Sequence, residues 1–299
     1  MMSGTVLILG ASGKIGQHAA RAFAAAGWEV RRWTRGTDMT AAAAGADVIV
    51  NGLNPPAYHD WARQIPAITA QVIAAARATG ATAIIPGNVY AFGDTGGVWS
   101  EHTPQRPVSR KGQIRATMEA AYRDSGVQTI VLRAGNFIDP EGNGDVMRLF
   151  ILRDIAKGRI TRGGGADVQQ AYAFVPDWAR AAVMLAEQRT TLARFEDVPF
   201  PGHAFTTTEL QTELQSALGR PLKMSAFPWW LMRLLSPFWE LARELTEMRY
   251  LWDTPHSLSG EKLSRLLPDF RATDLRTVMR AGLPPEIRAE APAALTLPG

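Results

Sequence analysis

Short unbroken apolar runs alternate with stretches of helical period along the first half of the chain. Val6-Leu7-Ile8-Leu9 and Val48-Ile49-Val50-Asn51 read as strands buried on both faces, and residues 81–86 and 128–133 repeat the pattern. Residues 28–34 give a further strand, closed by Arg35-Gly36. Residues 17–26 form an alanine-rich helix ended by Gly27, residues 60–79 a second with Pro66 as a bend or its true start, and residues 109–125 a third. Only about a dozen residues separate the second strand from the third, so the helix between them is expected to be cut short. This alternation predicts an α/β fold: a doubly wound parallel sheet with connections over both faces.

From about residue 145 the alternation weakens. Residues 145–157 and 177–188 read as helices around the loop Arg162-Gly163-Gly164-Gly165, and residues 208–218 and 262–267 as two more. The expected organisation is a nucleotide-binding domain over residues 1–185 and a smaller, helix-rich C-terminal substrate lobe over residues 186–299, within one compact unit. The tail after Pro284 is expected to be loosely ordered. In such sheets ligands gather beyond the carboxyl ends of the strands, so the loops after residues 9, 35, 51, 86 and 133 should converge.

Glycines at 10, 13 and 16 stand directly behind the first strand and at the start of a helix. The first permits a tight turn, the second lets backbone approach a pyrophosphate, and the third lets helix pack on strand. Gly10, Ser12, Gly13, Lys14, Ile15 and Gly16 are therefore the candidate dinucleotide turn, with free helix-start amides facing phosphate charge. The spacing is G-x-x-G-x-x-G rather than G-x-G-x-x-G. Where an NAD site places an acid at the end of the second strand, this chain reads Arg31-Arg32-Trp33-Thr34-Arg35. A guanidinium there binds a 2′-phosphate, so Arg35 first and Arg32 second favour NADP, with NAD as the alternative. Arg31 points the other way by strand alternation. Asn54 and Pro86, each at a strand end, are candidates to border the cofactor.

Hydrophobic residues make up 46% of the 299, as in globular proteins. Cysteine is absent, which removes disulfides and thiolate chemistry and suits the cytoplasm. The first strand follows Gly4 at once, leaving no room for a signal peptide. Net charge is +4, yet the arginines are scattered, so no nucleic acid is expected as partner. Five histidines stand far apart, and no metal is expected. The tryptophan-rich segment 227–252 is interrupted by Arg233, Pro237 and Glu240, too often for a membrane span. It reads first as lobe core, then as a homodimer face; contact with a membrane surface is not expected.

Several blocks in order resemble the extended and atypical branches of the short-chain dehydrogenase/reductase superfamily, over about residues 4–280. Gly10-Ala-Ser-Gly13-Lys-Ile-Gly16 is similar to its nucleotide fingerprint. Leu132-Arg133-Ala-Gly-Asn136-Phe, Phe174-Val-Pro-Asp177-Trp-Ala-Arg180, Gly202-His-Ala-Phe-Thr206 and Leu218-Gly-Arg-Pro221 resemble its later blocks. The resemblance implies a Rossmann fold and an NAD(P)-dependent activity of epimerase/dehydratase type. It also implies a Ser, Tyr and Lys set, but those positions fall on Pro86, Lys111 and Arg115. Ile85-Pro86-Gly87-Asn88 and Lys111-Gly-Gln-Ile114-Arg115…Glu119 resemble instead the isoflavone-reductase-like and NmrA-like members, where the lysine acts near the nicotinamide.

Lys111 is thus the first catalytic candidate, to donate or relay a proton or to bond the nicotinamide ribose. Four residues apart on a helix, Lys111 and Arg115 share a face, and Glu119 is placed to pair with Arg115. Tyr90 is the alternative acid, and Asn88 a candidate to orient a substrate carbonyl. Arg133 and Asn136 read as anion holders or packed ion pairs, Asp177 as a helix N-cap, and the triple glycine as a flexible turn or lid. The leading expectation is an NADP(H)-dependent oxidoreductase acting on a small polar or aromatic molecule. The alternatives are an NAD(P)-dependent epimerase/dehydratase on a nucleotide-linked sugar, and a non-catalytic NADP-binding sensor of NmrA-like type.

Overall fold

A computed structural model describes residues 4–290. The first half runs β1 (Thr5–Leu9), α1 (Lys14–Ala25), β2 (Glu29–Arg32), the four-residue α2 (Met39–Ala42), β3 (Val48–Asn51), α3 (Trp61–Thr79), β4 (Thr82–Gly87), β5 (Gly97–Trp99), α4 (Arg110–Asp124) and β6 (Thr129–Arg133). It continues through β7 (Asn136–Ile138), β8 (Arg159–Arg162), β9 (Gln170–Phe174), α5 (Val175–Glu187), β10 (Phe195–Pro199), β11 (His203–Phe205) and α6 (Thr207–Leu218). The last part holds β12 (Lys223–Ala226), α7 (Trp229–Leu235), α8 (Glu240–Glu247), β13 (His256–Leu258), α9 (Glu261–Leu266), α10 (Leu275–Ala281) and α11 (Pro285–Glu290).

Six strands form one parallel sheet in the order β10-β6-β4-β3-β1-β2, a doubly wound Rossmann arrangement. The continuous apolar runs have a direct cause, because β1, β3, β4 and β6 are buried on both faces, while β2 at the sheet edge is not. Val6 and Ile8 pack with Ile15, Phe23, Trp178 and Leu185 of α1 and α5. Leu7 and Leu9 pack on the other side with Trp61, Val72, Met118 and Tyr122 of α3 and α4. Each such fully buried aliphatic side chain contributes about 1.5–3 kcal/mol. Ser109 caps α4 by accepting the Gly112 N–H (3.0 Å), and α3 runs straight through Pro66 to a left-handed Gly80.

Strands of the main sheet and of the small sheets interleave along the chain. Strand β10 completes the main sheet, whereas β7, β8 and β9 belong to the lobe's small sheets. Residues 145–157, expected as one helix, form a π turn (Met147–Ile151) and a 3-10 turn (Ile155–Lys157). Met147, Ile151, Leu152 and Ile155 are all buried in the lobe core, so packing overrides helical period there. The start of the Pro/Ala-rich tail is the short helix α11; the remainder lies outside the described residues.

The tryptophan-rich segment is core only in part. Phe227, Trp229 and Met232 are buried, but Trp230 is 69% and Phe238 90% exposed, with Leu234 and Trp239 also outward. Among the described residues, no helix is long and apolar enough to cross a membrane.

Candidate active site

The glycine turn packs as its spacing demands. Gly10 adopts φ +71°, and a β-carbon there would touch the Gly52 backbone at 3.0 Å. Gly13 is exposed, and a β-carbon there would make only ordinary contact. No side chain caps α1, so its first-turn amides are left for a ligand. Ile15 points into the core, and the Lys14 ammonium turns away to the Gly144 carbonyl (2.8 Å). Burial there lowers the Lys14 pKa, against the raising effect of Asp145 and Asp139. His18 reaches the same lobe loop, meeting Asp139 at 2.9 Å, and Arg21 pairs with Glu141.

Three of the five expected loops converge on one groove of about 460 Å³, lined by Gly10, Ala11, Ser12, Arg32, Trp33, Thr34, Arg35 and Leu53. Arg32 and Arg35 are exposed and have no ion-pair partner among the described residues. Arg31 turns away to Glu29 and the Ala44 carbonyl, and Asp38 is committed to capping α2. The residues fit a dinucleotide: a glycine cradle at a helix start, and two unpaired guanidinium groups at the adenosine end.

One residue past Leu53, the Asn54 side chain accepts from Arg115 Nη2 at 2.8 Å. Arg115 lies over the Trp61 ring (4.5 Å), reaches the Met118 sulfur, and leaves a buried Nε without a partner. Burial pulls its pKa down, although Tyr90 and Glu119 act in the opposite sense. Glu119 does not pair with Arg115. It turns to Arg133, fully buried, which donates to Glu119 (3.0 and 2.7 Å), Asp197 (3.2 and 2.7 Å) and the Asn88 carbonyl (2.6 Å). Burial alone would lower the Arg133 pKa, but these two carboxylates raise it. Every Arg133 donor is engaged, so it ties β6 to α4, β10 and the loop after β4 instead of receiving substrate.

Lys111 meets two carboxylates from the lobe rather than solvent or Arg115. Glu247 accepts from its Nζ at 2.7 Å and from its backbone N–H at 2.9 Å, and Glu244 pairs with the same Nζ. The ammonium also lies 5.1 Å from the Tyr58 ring centroid. Tyr58 and Tyr90 hydroxyls are 3.2 Å apart, and burial raises the Tyr58 pKa well above its usual value. A β-carbon at Gly112 would lie 2.5 Å from the Tyr90 carbonyl, so glycine beside Lys111 lets α4 close on the Tyr90 loop. Asn88 spends its side-chain oxygen on the Tyr90 N–H (3.0 Å), a loop-capping bond. Pro86 is half-buried near the end of β4, in register with Leu132.

Lys111, Tyr90 and Asn54 with Arg115 thus gather around Tyr58. The sequence reading missed Tyr58, Glu244, Glu247 and Tyr250. Tyr58 sits in a turn where Ala57, Tyr58 and Asp60 all have positive φ, with Pro55-Pro56 just before it as the available signal. Tyr250, its pKa pushed up to about 12 chiefly by burial, reaches Ser109 and the Tyr90 carbonyl, both at 3.5 Å. The triple glycine is no open lid: β-carbons at Gly163 and Gly164 would each fall 2.2 Å from Trp252. Asp177 is not the N-cap of α5, a place taken by Phe174. Its carboxylate instead accepts from Thr273 N–H and hydroxyl (2.7 and 2.9 Å).

Residues 6–99 match the model of the NAD dependent epimerase/dehydratase family. No curated protein matches the chain. Solved structures with a similar fold include UDP-glucuronic acid 4-epimerase from Bacillus cereus in complex with UDP-glucuronic acid and NAD. It has a TM-score of 0.74 at 14% identity, over 93% of this chain and 97% of that one. UDP-glucose 4-epimerase from Brucella ovis in complex with NAD gives 0.71 at 17%, over 93% and 97%. A triphenylmethane reductase from Citrobacter sp. gives 0.66 at 17%, over 93% and 99%. The family match bears on the epimerase/dehydratase resemblance, not on the isoflavone-reductase-like or NmrA-like one. At these identities the structural likeness is one of fold.

Proposed function

We propose that this protein is an NAD(P)-dependent enzyme of the epimerase/dehydratase type acting on a nucleotide-linked sugar. The observation that carries this reading is the groove at the ends of β1, β2 and β3, whose Leu53 is followed by Asn54, the partner of Arg115 on the helix that also bears Lys111 beside Tyr58 and Tyr90. The family match over residues 6–99 supports it, and it replaces the net reductase as first reading. The unpaired Arg32 and Arg35, with no free acid beside them, favour NADP over the NAD named for the two epimerases.

A bound nicotinamide would supply reversible hydride transfer at its C4. Arg35 and Arg32 would hold the adenosine phosphate, and the α1 amides the pyrophosphate. Tyr90, hydrogen-bonded to Tyr58, would hold the proton at the substrate oxygen, and the Lys111 ammonium would supply positive charge beside it. Arg115 would fix the Asn54 side chain at the nicotinamide end.

A second reading, net reduction, is favoured by a lysine where the extended enzymes have tyrosine. Calorimetry with NADP and NAD, followed by UDP-sugar turnover monitored at the nicotinamide absorbance, separates the two. Sugar interconversion without net cofactor change supports the epimerase, and stoichiometric NADPH loss the reductase. No uptake of either dinucleotide overturns both.

A further inference from the structure

Lys111 is 1% exposed, and its counter-charges come from the far side of the cleft. It is the second residue of α4, so its amide is one of the donors that a helix start leaves open. Glu247 spans that amide and the side-chain ammonium with its two oxygens, at 2.9 and 2.7 Å. An N–H, an ammonium and the positive end of a 15-residue helix together form a built seat for a carboxylate.

Arg115 supplies a second, independent observation. It is 8% exposed and has no carboxylate within ion-pair distance among the described residues; its partners are the Asn54 oxygen, a sulfur and a ring, and its Nε is orphaned. A buried guanidinium without an anion is costly. Of the groups facing this helix side, Glu119 is spent on Arg133, and Tyr58, Tyr90 and Tyr122 are phenols. Without Glu244 and Glu247, Lys111 and Arg115 would be adjacent cations with no anion.

The segment bearing those glutamates makes its apolar contacts mainly within residues 227–252, where Ala242 and Leu245 pack on Phe227, Trp229 and Met232, with Phe150 as the contribution from outside. Only Ala242 is buried within α8. Glu240 meets His59 at 2.9 Å, and Tyr250 makes two long hydrogen bonds. For α8 to move aside, the contacts of Ala242 and Leu245 with that cluster must open, a small apolar area compared with the main core.

We propose that the amide and ammonium of Lys111 form the seat for a carboxylate of the substrate, which Glu247 occupies as an internal stand-in until α8 moves aside. The substrate class is then a carboxylate-bearing sugar, a uronate in the nucleotide-linked case. The nucleotide-linked part rests on the function proposed above; the carboxylate seat does not.

The test is amine acylation of Lys111, read by mass spectrometry in the full chain, for the native protein and the variant Glu244→Gln/Glu247→Gln. The native lysine should react slowly and the variant's about tenfold faster or more. Glucuronate, free or as its uridine diphosphate derivative, should slow the variant's reaction, and glucose in the same two forms should not. An unchanged slow rate in the variant overturns the inference. So does protection by neither carboxylate form beyond its neutral counterpart. If the double variant does not fold, Glu247→Gln alone, which keeps Glu244 on the ammonium, carries the same comparison. The free sugars test the seat even if nucleotide sugars do not bind, and cofactor calorimetry reports separately on the proposed function.

Discussion

A β-carbon on Gly16 would lie 2.2 Å from the carbonyl oxygen of Gly10, closer than any real contact of that kind. The helix start and the turn beneath it are thus mutually determined. Gly16→Ala should force them apart, costing about 1–3 kcal/mol in urea unfolding and abolishing dinucleotide uptake in calorimetry. Unaltered uptake would show that the turn does not hold the pyrophosphate.

Arg35 and Arg32 decide the cofactor if the adenosine end lies in the 460 Å³ groove. Arg35→Ala should weaken NADP binding by roughly 10- to 100-fold, the value of one charge-assisted pair, and leave NAD nearly unchanged. Equal losses for both dinucleotides would dismiss a 2′-phosphate contact.

Arg133 and Glu119 are both fully buried, and removing the Glu119 charge leaves the guanidinium with Asp197 as its remaining carboxylate. Glu119→Gln should lower unfolding free energy by about 1.5–3 kcal/mol, the value of a hydrogen bond to a charged group, measured by urea denaturation. A loss of only a few tenths would mean that the cluster is solvated in solution.

Tyr90→Phe deletes the hydroxyl proposed to hold the substrate proton. On a substrate identified by the turnover screen, kcat should fall about 10²–10⁴-fold, with cofactor affinity intact. Native turnover by this variant would transfer the role to another group.

The exposed His59–Glu240 pair tethers α8 to the loop before α3. The hydrogen bond to Glu240 raises the His59 pKa, and the same bond lowers that of Glu240. The histidine's contribution is complete below its ordinary value of about 6.5 and is lost as pH rises through the raised value. The glutamate's is present above its ordinary value of about 4.3 and is lost as pH falls through the lowered one. Amide exchange in residues 240–247, corrected for intrinsic rate, should therefore speed up as pH rises from the ordinary histidine value through the raised one. His59→Leu should remove that dependence. A flat native profile would show that the tether does not restrain the helix.

How much was legible follows from where each interaction lies along the chain. Strands β1, β3, β4 and β6 and helices α1, α3, α4 and α5 were readable because burial on two faces forces unbroken apolar runs and helices repeat locally, whereas β10 at the sheet edge was not read. The glycine turn and the outward Arg32 and Arg35 were readable for the same reason, since strand alternation and turn chemistry act within a few residues. Residues 145–157 were misread because core packing in the lobe overrode a local helical period.

By itself the sequence determined the parallel sheet, its glycine cradle and the basic exit of β2, all products of short-range sterics and periodic burial. Only the tertiary structure decided that Glu119 serves Arg133, that Tyr58 joins Tyr90, and that Glu247 closes on Lys111 across 136 residues of chain. Pairings at such separation depend on which surfaces the packed core brings face to face. No local pattern of polar residues encodes that choice.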